Sequence, residues 1–563
     1  MPWFSYPPLW AQGKKDSRGA ANYDVIVISG DAYVDHPSFP TAVVTRRLQE
    51  LGVRVAVIAQ PDWRSTHDFK VFGAPTLFFA VCPGAMDSMV ANYTSMKMPR
   101  RDDRLSPGGE GGLRPKRAAQ VYAQRLREAF PDTPVILGGI EASLRRFSHY
   151  DFWEERIRDS LLIDSGAALI VYGMAEAPLR RIVEYYRQAD GQGERGSPML
   201  PQTAIRVPFR RGREIAGPGA VFLPTADECR KEPVKFLELS KILDLSVRVG
   251  GPRLVQEHPK GDIICFPPDR LDWEQEPDLI SRPMFNRRSH PLYTQPIPGL
   301  EPVQFSVISH RGCLGACSFC ALALHQGRTI RSRLPETILA EIQRFPDHPD
   351  FRGTIPDLGG PSVNMYGWKC RHNGCPSGQC LYPRRCEQAG GNLAPLVELL
   401  RQARAVSGVR HVFIGSGLRY DLLTPADEKA FEELVKFHVS GQLKVAPEHV
   451  DPRVLELMRK APGADFAAFA RRFGERFGSG PEKRFLVPYF MTAFPGSGES
   501  DAGIRLLVQS LRLAHDQIQD FTPTPGTLAT AMYYAGVDLR GNPIDVPKTT
   551  AERRKGKQLV QKK

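Results

Sequence analysis

Residues 303–320 read VQFSVISHRGCLGACSFC. The stretch Gln304–Ser309 is a short, mostly apolar run of strand length, and directly after it Arg311–Cys320 places three cysteines at spacing C-x3-C-x2-C. Downstream, strand-length apolar runs alternate with helical periodicity. The strand candidates are Gly353–Leu358, His411–Gly415, Leu443–Pro447, Arg484–Thr492 and Gln519–Thr522. Between them lie helical stretches at Glu336–Phe345, Pro395–Ala405, Ala426–Phe437, Pro452–Met458 and Asp501–Leu513. Six β/α alternations joined by right-handed crossovers curl into a partial (β/α)6 barrel of TIM-like type. The cysteine loop then sits at the C-terminal end of the first strand, where such a barrel carries its chemistry.

A second α/β pattern precedes this one. Asp24–Gly30, Arg54–Gln60, Thr76–Cys82, Val135–Gly139 and Ala168–Gly173 read as strands, and Thr41–Leu51, Ala118–Ala129 and Pro178–Tyr186 as helices. Apolar strands alternating with helices predict a doubly wound, Rossmann-like parallel sheet over 23–190. The remaining divisions are an irregular lead-in at 1–22, a connecting subdomain at 191–298, the barrel core at 299–535 with a Cys-rich insert at 367–390, and a charged tail at 536–563. Within the connecting part, Val234–Leu243 and Gly251–Gln256 read as helical. Residues 95–116, rich in Gly and Pro, read as a loop.

The chain has 563 residues, 42% hydrophobic and 24% charged, which describes a soluble globular protein too long for a single core. The net charge of +13 permits a nucleic-acid partner without requiring one. No apolar run reaches the ~18 residues of a bilayer span. The N-terminus lacks the basic start and apolar stretch of a secretory signal, so the expectation is a cytoplasmic protein with no membrane partner. In that compartment cysteines read as metal ligands or catalysts before disulfides. Seven of the ten cysteines fall between 313 and 386.

A [4Fe–4S] cluster fully ligated by protein needs four thiolates. Cys313, Cys317 and Cys320 supply three, which leaves one iron open to a chelating molecule. Gly312 and Gly315 relieve crowding in a loop that must fold around a cubane. The competing readings are a zinc site, which ordinarily draws four ligands from paired cysteine motifs, a two-cysteine redox pair, and plain buried thiols.

Several long strings mark a family. They are SGDAYVDHPSF (29–39), AQPDW (59–63), MDSM (86–89), ILGGIEASLRR (136–146), DLGGPSVNMY (357–366), GLRYD (417–421), APEH (446–449) and DFTPTPGT (520–527), together with the cysteine motif. With them the chain resembles the YgiQ-type radical SAM proteins over most of its length. The resemblance implies a [4Fe–4S] cluster on Cys313, Cys317 and Cys320 and S-adenosylmethionine (SAM) on the open iron. It implies reductive cleavage of SAM to a 5′-deoxyadenosyl radical and leaves the substrate open. It places Phe319 against the adenine and Gly359 and Gly360 at the methionyl amine. Pro361 stands where many radical SAM barrels have a glutamate.

Ser416, Arg419 and Asp421 are implied as contacts to the SAM ribose or carboxylate, and Glu448 as an acceptor for the ribose hydroxyls. His449 is implied at substrate or in proton transfer. Phe494, Pro495 and Gly496 are implied as an adenine-side loop. A reductant such as flavodoxin or ferredoxin is the expected electron donor.

The N-terminal region resembles the cobalamin-binding-like domain that precedes many such barrels. Asp35-His36-Pro37-Ser38 is not the DxHxxG pattern of base-off cobalamin binding, so cobalamin is not expected.

Cys370, Cys375, Cys380 and Cys386 form a second group, spaced more loosely than zinc ribbons or ferredoxin loops. They hold zinc or an auxiliary cluster in one reading and no metal in the other, with His372 as an extra ligand or a solvated loop residue. Two further readings of the whole chain stay open. One is an RNA- or protein-modifying enzyme of methylthiotransferase type, and the other is a non-catalytic, metal-stabilised nucleic-acid-binding protein.

Overall fold

The computed structural model describes residues 5–16, 22–190, 196–246, 249–269, 285–370, 379–460, 465–513 and 517–561. The chain divides into two compact units, Met1–Gln304 and Phe305–Lys563.

The first unit is built on one eleven-stranded sheet. Its central strands run parallel in the order Leu169–Val171, Val135–Leu137, Phe78–Cys82, Val25–Ser29, Val55–Ala59 and Leu9–Ala11. Every residue of Val25–Ser29, Val55–Ala59 and Phe78–Cys82 is buried. This explains why they read as continuous apolar runs rather than alternating ones. Each Val or Ile so buried contributes about 1.5–3 kcal/mol. Leaving aside Leu9–Ala11, the spatial order is that of a flavodoxin-like sheet. Its topological switch point lies between Val25–Ser29 and Phe78–Cys82.

The lead-in and the connecting segment depart from the sequence expectation. Leu9–Ala11 pairs with Val55–Ala59 and turns back through Lys14–Lys15. The segment 191–298 is not a separate subdomain. Thr203–Val207, Asp262–Cys265, Leu254–Gln256 and Val221–Phe222 extend the same sheet beyond Leu169–Val171. The stretch expected to be helical at Gly251–Gln256 is thus a strand at its end. Its three buried residues Leu254, Val255 and Gln256 follow Gly251 and Pro252, too short and too broken a run for a helix.

The second unit holds six parallel strand positions in chain order. Val307–Ile308 pairs with Leu358–Gly359, and Thr354–Ile355 on the same chain segment pairs with His411–Val412. Leu418 bridges to Val445 in the next strand, Gln442–Glu448. That strand pairs with Phe485–Thr492, which pairs with Gln517–Asp520. This is the expected α/β partial barrel.

The helix Phe466–Phe477 is an addition to the expected set. Asp465 caps it by accepting from Ala468 N, and it buries Phe466, Phe469, Phe473 and Phe477 on one face. The residues read as a charged tail form a helix, Thr550–Gln561, that buries Arg553 and joins Val560 to the core of this unit. A long charged side chain can cover apolar surface with its stem, which hides such a helix from composition.

Candidate active site

The cysteine loop leaves the barrel after His310–Arg311 and is tied down on three sides. Gly312 N donates to Gln326 Oε1 at 3.1 Å and Cys313 N to Gly327 O at 3.3 Å. Ser318 donates through N to Met458 O (3.0 Å) and through Oγ to Leu457 O (2.7 Å), and its own carbonyl accepts from Ala529 N at 2.9 Å. Cys313, Cys317 and Cys320 are each half-buried. Gly315 sits between the first two: a Cβ there would lie 3.2 Å from Cys313 Sγ, 3.7 Å from Cys317 Sγ and 2.9 Å from Arg419 Nη1. The glycine therefore keeps a small space beside the sulfurs open.

Burial pushes the Cys320 thiol up to about 12 and raises that of Cys313, against which Arg419 and Lys460 act. Thiols in such surroundings need positive metal to be held as thiolates. Among the described residues, no three His, Cys, Asp or Glu side chains converge as a single metal ion requires. The thiolates of a four-iron cluster are instead spread over separate irons.

Phe319 is half-buried and meets Phe494 edge-on at 6.4 Å; Phe494 meets Phe521 in turn. The loop at Phe494 thus lies beside the cysteine loop as implied. Gly359 and Gly360 end the second strand. A Cβ on Gly360 would meet the His310 ring at 2.5 Å, and one on Gly359 would meet Ser416 Oγ at 2.5 Å. Both positions require glycine because the backbone passes close to neighbouring side chains. The Gly359 carbonyl already accepts from Ser309 N at 2.7 Å and Ser309 Oγ at 3.0 Å.

Three of the implied residues have partners within the protein. Ser416 donates its hydroxyl proton to Asp357 Oδ2 at 2.6 Å, and Asp357 also receives the Gly415 and Ser416 N–H groups. Its hydroxyl proton is thereby spent inside the barrel wall. Arg419 is paired through Nε and Nη2 to the two oxygens of Asp421. It enters the site with one end already committed. His449 is 2% exposed, accepts from Asp451 N at its Nδ1 and contacts Asp501 through Nε2 at 3.2 Å. Both ring nitrogens are hydrogen-bonded within the protein.

Glu448 ends the fourth strand at a register shift with a left-handed backbone (φ +69°), an uncommon conformation for a residue other than glycine. Burial raises its carboxyl, while Lys460, 4.0 Å away, and Arg419 oppose the shift. Lys460 was absent from the sequence reading. It donates to Ala446 O at 2.8 Å, and only its place three-dimensionally beside Glu448 marks it. Asp357, which organises Ser416, lay inside a quoted string but carried no sign of that role.

In the second cysteine group, Lys369–Cys370 pairs antiparallel with Ala389–Gly390. Cys386 N donates to Cys380 O at 2.8 Å. Cys380 and Leu381 share a small core with Met365, Trp368, Leu422 and Leu314, and Cys313 and Cys386 pack against it. The insert thus rests on the cysteine loop itself. Cys375 and His372 lie outside the described residues.

In the first unit, His36 faces a donor at each ring nitrogen, and a neutral imidazole can accept from only one of them. Nδ1 accepts from Ser38 N at 3.1 Å, and Nε2 lies 3.0 Å from Arg287 Nη1. No helix among the described residues is long and apolar enough to cross a membrane.

The family described as Radical SAM N-terminal matches residues 10–306. A UPF0313 protein of Geobacter sulfurreducens is 42% identical over 567 residues, covering 99% of this chain and 92% of that protein. A UPF0313 protein of Methanocella arvoryzae is 42% identical, covering 96% of this chain and 90% of the relative. Among solved structures, the radical S-adenosylmethionine methyltransferase TsrM from Kitasatospora setae, with cobalamin and a [4Fe–4S] cluster bound, aligns with a TM-score of 0.48 at 14% identity. The alignment covers 93% of this chain and 87% of TsrM. The cobalamin-dependent S-adenosylmethionine radical enzyme OxsB aligns with a TM-score of 0.41 at 11% identity, covering 96% of this chain and 55% of OxsB. With the family match over more than half its length and relatives of this identity across nearly all of it, the chain belongs to the UPF0313 family of radical SAM enzymes.

Proposed function

We propose that Cys313, Cys317 and Cys320 hold a [4Fe–4S] cluster whose open iron binds SAM, and that the chain uses the resulting radical on a substrate these residues leave open. The observation that carries this reading is the cysteine loop: three thiols after the first strand of a six-position parallel barrel, with Gly315 leaving room beside two of the sulfurs. Held by these three thiolates, the cluster would supply the single electron that reductive cleavage of the SAM sulfur–carbon bond needs, once charged by an external one-electron donor.

The protein's own part is to bind and orient. Phe319 with Phe494 forms an aromatic wall suited to adenine. Glu448, kept partly buried beside Lys460, presents a carboxyl to ribose hydroxyls. Gly359 and Gly360 let the second strand approach closely. A one-electron donor of flavodoxin or ferredoxin type completes the proposal. Membership of a radical SAM enzyme family excludes the non-catalytic reading.

The test is anaerobic reconstitution followed by dithionite and SAM. Release of 5′-deoxyadenosine is expected, and its absence from reduced protein carrying about four irons overturns the catalytic reading. Cys317→Ala should lose the iron–sulfur absorbance near ~400 nm. Retention of a four-iron cluster there would mean that other residues bind it. The same preparation decides the second cysteine group: about eight irons, or about four with zinc, make Cys370, Cys380 and Cys386 part of a second site. S-adenosylhomocysteine formed alongside 5′-deoxyadenosine would favour methylthio transfer.

A further inference from the structure

Arg419 follows the third barrel strand and is fixed from both ends. Its backbone N–H donates to Asn364 Oδ1 at 3.0 Å, and its carbonyl accepts from Asn364 Nδ2 at 2.8 Å. Its Nε and Nη2 each pair with one oxygen of Asp421, and the two side chains are 9% and 6% exposed. That fork uses one edge of the guanidinium. Nη1 is on the other edge, 2.9 Å from the point where a Cβ on Gly315 would stand, and the same point lies 3.2 Å from Cys313 Sγ and 3.7 Å from Cys317 Sγ. The free end of a buried cation and two cysteine sulfurs therefore border one small space. Lys460, also nearby, donates to Ala446 O and lies 4.0 Å from Glu448.

We propose that Arg419, held by Asp421, is a positioning residue for the cluster: it directs Nη1 toward sulfur on the Cys313–Cys317 side and raises the cluster's reduction potential, rather than clamping the SAM carboxylate. The inference rests on the cluster reading above. Reduction adds one negative charge to the cluster. A fixed guanidinium in a water-poor site stabilises that charge, and hydrogen bonds to cluster sulfur act in the same direction. Asp421 is the outer partner that keeps the donor oriented, as outer partners do at metal centres generally.

The experiment is an EPR-monitored reductive titration of the reconstituted full chain in the absence of SAM, with iron content measured on the same samples. Arg419→Gln should retain about four irons and shift the reduction equilibrium at least tenfold toward the oxidised form, about 59 mV for a one-electron couple. Arg419→Lys keeps the charge without the planar fork and should shift less, in the same direction. Asp421→Asn should shift it too, by loosening the donor. SAM affinity, read from the change in the EPR signal on adding SAM, should fall less than tenfold in each.

An unchanged potential in the variants that load iron overturns the proposal. If SAM affinity instead drops tenfold or more, Arg419 is the carboxylate clamp. Should Arg419→Gln fail to load, the lysine and Asp421→Asn variants decide by the same criterion. Wild-type protein that binds no four-iron cluster would overturn the proposed function before any variant is compared.

Discussion

The two parallel sheets of this chain both end their strands in polar residues, and they treat those residues in opposite ways. In the first unit each carboxylate beyond the strand ends is answered from within. Arg114 donates to Gly30 O and pairs with Asp31 at 2.5 Å and Asp103 at 3.0 Å. Arg46 pairs bidentately with Asp35, and Arg145 pairs through Nη1 with Asp87 Oδ2. Glu141 accepts from Ser88 N and Ala119 N. The switch-point crevice, where a flavodoxin-like sheet ordinarily takes a ligand, is thus bordered by an ion pair on Asp31.

In the second unit the corresponding edge carries three thiols, a carboxyl raised by burial at Glu448, and a guanidinium with one end uncommitted. The first position is dominated by charge pairing, with a cavity lined by Arg100, Asp103, Arg114 and Lys116 beside it, and the second by thiols.

The strongest way to break this comparison is Arg114→Met. If the first edge is a sealed structural network, the change strands Asp31 and Asp103 in a buried site and should cost about 3–5 kcal/mol. Hydrogen exchange across residues 25–31 and 78–87 would read the loss. Unchanged protection would show that Arg114 is not structural and would reopen the crevice as a ligand site.

Acid should affect both edges alike. Burial holds His310 down to about 4, below its usual value of 6.5, and lowers His36 well below that value. Above pH 6.5 these histidines are neutral whether folded or unfolded, and their contribution is fully present. As pH falls from 6.5 toward 4 the unfolded chain takes up protons that the folded one refuses, so stability drops, by about 3 kcal/mol for His310. Hydrogen exchange at 305–310 measured against pH should show this, and His310→Gln should flatten it. A flat wild-type profile would mean that the ring is reached by water.

Gly315→Ala should have the smallest effect on folding and a selective effect on function. The added methyl meets Arg419 Nη1 and Cys313 Sγ, an overpacking of about 1–2 kcal/mol. Iron per chain after reconstitution should fall severalfold while the melting temperature moves by only a few degrees. Full iron loading would show that the space beside the sulfurs is not needed.

What the sequence made legible follows from how each signal arises. Val25–Ser29, Val55–Ala59 and Phe78–Cys82 are buried on both faces, so they stand out as apolar runs. The barrel strands alternate buried with less buried residues, as Gln442–Glu448 does, and the cysteine spacing is a local fact. Val221–Phe222 and Leu254–Gln256 are too short to produce a period and gain their identity only by pairing. Thr550–Gln561 hides its contribution in Arg553 and Val560 among exposed charges. In the helix Phe466–Phe477 a signal did exist, in four phenylalanines at spacings of three and four. The roles of Ser416, Arg419 and His449 turned on partners at 357, 421 and 501. Motif residues identify a neighbourhood, but which groups stay free in it is decided by contacts that no spacing encodes.

Ser318 links the cysteine loop to residues made much later: its hydroxyl and amide reach Leu457 and Met458, and its carbonyl receives Ala529 N. On the ribosome, at 5–20 residues per second, the last of these partners emerges roughly 10–40 seconds after Ser318 itself. Until then the loop has its three thiols but lacks the clasp from Ala529. The loop is fully clasped only when the helix Leu528–Ala535 is in place.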